Sequence, residues 1–150
     1  MTGAVHGVTV RHRLAAAMAV FVCQVAQASP AQDYMLHCMG CHGTEAQGVL
    51  GKIPPLANAL SRFMRTPEGR DYVLRVPGAA NSALSDAQLA AVLNWLAVTF
   101  DPNASASAPA PFTGEEVSRL RHTPLASVLA ARSAVVRGLA ATGPAPPAQY

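Results

Sequence analysis

The sequence contains no run of alternating apolar and polar residues long enough for a sheet, which leaves helices as the material of the fold. It has no basic stripe and no interleaving of basic with aromatic side chains. The chain therefore lacks the usual means of tracking a phosphate backbone, and nucleic acid is not an expected partner. Its apolar stretch at residues 14–25 is shorter than the roughly 20 residues that cross a hydrocarbon core, which argues against a permanent membrane span. Cysteine is scarce as well: there are three in 150 residues, with no second pair to complete a four-thiolate metal site.

The chain does carry export signals. Arg11, His12 and Arg13 form a basic flank, the apolar stretch follows, and Ala26-Gln27-Ala28 matches the small-x-small site that a secretory peptidase cuts. Residues 1–28 are expected to be a signal peptide, with Ser29 as the new terminus. Removing it takes away Cys23, leaving Cys38 and Cys41 as the thiols of the mature chain, in a compartment that permits disulfides. It also takes away Arg11 and Arg13, so the formal charge of +3 falls to about +1 and the basicity of the whole chain says little about its partners.

The remaining chain divides into a helical domain at residues 29–100, a flexible linker at 101–111 and a C-terminal extension at 112–150. In the domain, helices are expected over residues 30–41 and 58–64. Another begins where Thr66 caps and Pro67 takes the first helical position, and it stops before Pro77-Gly78. Residues 78–83 read as a loop. Ser85-Asp86-Ala87-Gln88 is a capping box, followed by Leu89, Val92, Leu93 and Leu96 at helical spacing. The linker is built from Ala, Ser, Pro and Asn, and the last residues, 143–150, read as a disordered tail. Between them, Thr113 and Glu116 offer another cap. Leu125, Val128, Leu129, Val135, Val136 and Leu139 then form an apolar stripe that either folds back on the domain or docks on a partner. A helical domain of about 70 residues with long loops has little apolar area to spare and is expected to need a staple or a cofactor.

That expectation bears on Cys38-Met39-Gly40-Cys41-His42. A structural zinc would need a fourth ligand from His37 or His122. A dithiol redox centre ordinarily follows a strand, and none precedes this one. A disulfide across two intervening residues closes a very short loop and stabilises little. The fourth reading uses all the residues at once: two thiols at this spacing meet the two vinyl groups of a haem, and the next imidazole reaches the iron.

On these residues the sequence resembles the small class I type cytochromes c exported to the bacterial periplasm. The resemblance covers residues 32–100. It is carried by the motif ending in Gly43, the loop to Ile53-Pro54-Pro55-Leu56, Leu84-Ser85-Asp86 at the start of the last helix of the domain, and Asn94-Trp95-Leu96 within it. Val76-Pro77-Gly78 adds a likeness to small single-haem cytochromes of bacterial dehydrogenase systems. The resemblance implies an all-α domain around one covalent haem c, held by Cys38 and Cys41, with His42 on the iron. It further implies that a carbonyl near Pro54 accepts the proton on His42 Nδ1, and that Trp95 packs near the haem edge and the first helix.

In this family a methionine usually stands in the loop before the last helix. Residues 76–83 contain none, and the axial ligand decides potential, spin state and access to the iron. By elimination Met64 is expected as the sixth ligand, since Met35 and Met39 belong to the attachment helix and His122 lies beyond the linker. Arg75 is the expected propionate partner, with Lys52 balanced between surface and site. The expected function is periplasmic electron transfer, with a dehydrogenase or other redox protein as partner and without substrate chemistry at a catalytic residue. The rival is a small-molecule-binding or catalytic haem protein with an open distal iron.

Overall fold

Short polar residues write most of the helix starts in this chain, because a side-chain oxygen can satisfy an amide that a first turn leaves unpaired. The computed structural model describes residues 28–101, 108–141, 143 and 145–146; the expected signal peptide, apart from Ala28, and residues 102–107 of the expected linker lie outside them. The described helices are α1 (Pro30–His37), α2 (Met39–His42), α3 (Leu60–Phe63), α4 (Pro67–Arg75), α5 (Pro77–Ala80), α6 (Asp86–Thr99), α7 (Gly114–Leu120) and α8 (Val128–Ala140). Ser29 and Ser85 each make a reciprocal capping box with the glutamine three residues on, and Thr66, Thr113 and Ser127 cap α4, α7 and α8. Among the described residues there is no sheet, only an isolated bridge between Val49 and Ile53.

Two expectations are corrected in detail. The first helix does not run unbroken to Cys41: at Cys38 the backbone leaves helical geometry (φ −129°, ψ −40°) and restarts as α2. Residues 78–83 are not all loop, since Pro77 at a first helical position starts α5.

Helix α6 is the centre of the molecule. It buries Leu89, Ala90, Val92, Leu93, Leu96 and Ala97, a set too broad for one stripe, because α1, α3 and α7 all pack against it. Where α1 meets the end of α6, Tyr34, Trp95 and Phe100 form an aromatic cluster, with Trp95 edge-on to Phe100 at 5.6 Å between centroids and 5.8 Å from Tyr34.

The C-terminal extension folds back on the domain. Its apolar residues Phe112, Val117, Val135, Val136 and Leu139 are buried, α7 lies on α6, and α8 lies on α3 and α4. The arginines bind it down. Arg70 reaches both carboxylate oxygens of Glu116 (Nε to Oε1 2.7 Å), donates to the carbonyls of Ala110 (2.6 Å) and Pro111 (3.2 Å), and sits 4.2 Å over the Phe112 ring. Arg75 donates to the carbonyls of Thr123 (2.8 Å) and Pro124 (2.9 Å). From the other side, buried Arg121 donates to the carbonyls of Leu84 and Ser82 and to Asp86, each at 2.9 Å. Asn94 completes the seam, accepting from the Phe112 amide (2.7 Å) and donating to its carbonyl (3.0 Å).

Candidate functional site

Between the attachment motif, the loop that follows it and helices α3 to α6 lies a cavity of about 410 Å³, within the usual range for cofactor sites of about 300–1,000 Å³. Cys38, Cys41 and His42 stand in its wall, joined by Pro54, by Leu89, Val92, Leu93 and Leu96 of α6, and by Tyr72 and Val73 of α4. The break at Cys38 and the single turn of α2 bring both thiols and the imidazole to this space. Neither thiol is in a disulfide. Burial, with Asp33 and Cys41 adding to it, pushes the Cys38 thiol up, so it remains protonated.

The imidazole of His42 is held in one orientation. Its Nδ1 lies 3.1 Å from the carbonyl oxygen of Pro54, and a carbonyl can only accept, so Nδ1 carries the proton and Nε2 keeps its lone pair. Burial lowers the His42 pKa, the Pro54 bond opposing it, which favours the neutral form a metal requires.

Gly48 allows this geometry. It has φ +68°, and a Cβ placed there would stand 2.3 Å from the Ile53 carbonyl oxygen and 2.7 Å from the Pro54 carbonyl. Its amide donates to the carbonyl of His42 at 2.8 Å, so the loop closes directly on the motif. Tyr34 Oη donates to the Gly43 carbonyl and anchors the end of α2 to the aromatic cluster.

Other expected site residues stand elsewhere. Met64 is buried but is not in the cavity wall; it borders a shallow hollow beside Thr66, Pro67 and Pro109, and its carbonyl accepts from Arg70 at 3.3 Å. Arg75 is also outside the wall, because its guanidinium is engaged by Asp71 (2.6 Å) and the two extension carbonyls. Trp95 packs on the first helix without lining the cavity. Lys52 does line it, though exposed.

The residue that sequence reasoning missed is Arg132. It comes from α8, is only 3 % exposed, lines the cavity one turn after Val128, and places its guanidinium 5.2 Å from the centre of the Phe63 ring. The signal was present: an arginine stands at the i+4 position of an otherwise apolar stripe running from Val128 to Val135, Val136 and Leu139.

Residues 30–99 match the cytochrome c family. A cytochrome c-552 of Thermus thermophilus is 33% identical over 115 residues, covering 65% of this chain and 77% of the relative. A second Thermus thermophilus cytochrome c-552 is 33% identical over 113 residues, covering 63% of this chain and 86% of the relative. The chain belongs to the cytochrome c family. Membership of that family implies a covalent haem c, and the residues lining this cavity fit the group. Two thiols and a neutral imidazole converge on an apolar hollow, and the buried guanidinium in its wall suits an anionic group, which a haem propionate supplies. Among the described residues, no set of three or more His, Cys, Asp or Glu is gathered that would hold a metal ion alone.

Proposed function

We propose that the chain is a periplasmic one-electron carrier that takes electrons from a dehydrogenase and passes them on through a single haem c. The observation that carries this reading is the placement of Cys38, Cys41 and the Pro54-oriented His42 in the wall of one apolar cavity. Haem, when bound, supplies a one-electron Fe(III)/Fe(II) change. The chain supplies the rest. Cys38 and Cys41 offer thiols for two thioethers, His42 Nε2 offers the proximal ligand, and the Pro54 carbonyl holds the imidazole in the required tautomer. Leu89, Val92, Leu93 and Leu96 exclude water from the cavity, so little solvent reorganises when the charge changes. Arg132 is assigned as the propionate partner in place of Arg75. No described helix is long and apolar enough to cross a membrane, which suits a carrier that diffuses between partners.

The test is direct. Mature protein from a host able to attach haem should gain one haem mass under denaturing conditions. It should then be reduced and reoxidised reversibly, with mass spectrometry and spectroelectrochemistry as the two readouts. Absence of the added mass would overturn the assignment.

A further inference from the structure

We propose that none of the described side chains occupies the sixth coordination position of the haem iron, and that this position binds a small uncharged diatomic molecule such as carbon monoxide or nitric oxide. The inference rests on the haem attachment proposed above and adds a ligand class to it. Among the described residues, none that lines the cavity is a methionine. Met64 is buried at the end of α3 and borders the separate hollow beside Thr66, Pro67 and Pro109 rather than this cavity. Met39 packs against the core and Met35 is half exposed on α1.

The remaining polar groups of the wall do not supply a ligand either. His37 and Lys52 are exposed and belong to the attachment helix and to the loop leading to Pro54, the same segments that position His42. A guanidinium has no lone pair to give, which excludes Arg132. Ser82 is occupied in accepting from Arg121. Tyr72 carries a phenol, whose oxygen must first give up its proton to serve as a strong ligand. Its ring is packed on Phe63 at 5.5 Å between centroids.

The apolar wall also selects the ligand. Leu60, Phe63, Val73, Val76 and Ala79 surround the space with hydrocarbon, in which an anion is costly and an uncharged diatomic is not. The buried cation of the wall, Arg132, is assigned to a propionate.

The test uses holoprotein with carbon monoxide as the probe. Denaturing mass spectrometry comes first, since a chain without haem mass overturns both the carrier reading and this one. With haem attached, carbon monoxide should shift the main absorption band of the reduced protein saturably and stoichiometrically, and the ferric protein should give a high-spin resonance spectrum. Met64→Leu should leave both signatures unchanged. A reduced protein whose spectrum carbon monoxide does not alter overturns the inference. So does a long-wavelength ferric band lost in Met64→Leu, or carbon monoxide binding gained in Tyr72→Phe. In each of these the carrier reading survives, because haem is attached and reducible.

Discussion

Gly48 sets how closely the loop can approach the carbonyl that orients His42. At φ +68°, with the Pro54 carbonyl 2.7 Å from where a Cβ would stand, Gly48→Ala combines left-handed strain of about 1–2 kcal/mol with displacement of the acceptor. The expected outcome is a lower unfolding temperature together with altered ferric spectra. Thermal unfolding alone would not separate the two, so spectra of the folded holoprotein are the deciding measurement. Arg132 allows a second test at the same scale. Removing its charge in Arg132→Leu makes electron uptake harder, so the reduction potential should fall. A propionate deprived of its partner should also titrate at higher pH, so the potential should decline as pH rises through the propionate range, where the parent stays flat. A potential that neither falls nor gains this pH dependence would remove Arg132 from the propionate.

The C-terminal extension is held by charge as well as by its apolar stripe, and this makes its docking sensitive to acid. The Arg70 guanidinium beside Glu116 holds that carboxyl below its ordinary value, with desolvation opposing. A carboxylate lowered in the folded state contributes stability that is fully present above the unfolded value of about 4.3 and is lost as pH falls through the folded value. Corrected for the intrinsic exchange rate at each pH, amide hydrogen exchange in α7 should therefore be slow at neutral pH and quicken below about pH 4, ahead of α6. Glu116→Gln should quicken it already at neutral pH and flatten that dependence. Unchanged protection in Glu116→Gln would show the clamp to be ornamental. The stripe expected on the last helix is used inside the molecule, since Val135, Val136 and Leu139 are buried against the domain.

For the whole molecule, the proposed haem would complete the core. Leu89, Val92, Leu93 and Leu96 of the central helix and Val128 of the extension meet at the cavity. Without haem, this hollow leaves apolar walls with nothing to pack against, and a domain this small has little surplus stability. Cys38→Ser with Cys41→Ser should abolish covalent attachment. The resulting chain should keep its far-ultraviolet helical signal but lose sharp side-chain resonances and most of its cooperative unfolding. Sharp resonances and an undiminished transition would show that the fold does not depend on the haem.

The sequence by itself determined most of the capped helix starts and the all-helical class, and it named the candidate attachment triad, because each depends on neighbours in the chain. A cap needs an oxygen three residues before its amide, and two thioethers and an imidazole need Cys38, Cys41 and His42 at one spacing. Through likeness to its family it also pointed to Pro54. Local pattern did not show which distant side chains the fold would bring to the cavity. Arg75, close in sequence to the loop before α6, is drawn away by the carbonyls of Thr123 and Pro124, while Arg132, 90 positions after His42, is carried into the wall by α8. Met64 was chosen by contour length, and contour length says nothing about which way a short helix turns its side chains. Tertiary packing decided those places, because burying one arginine and engaging another depends on which surfaces the extension covers.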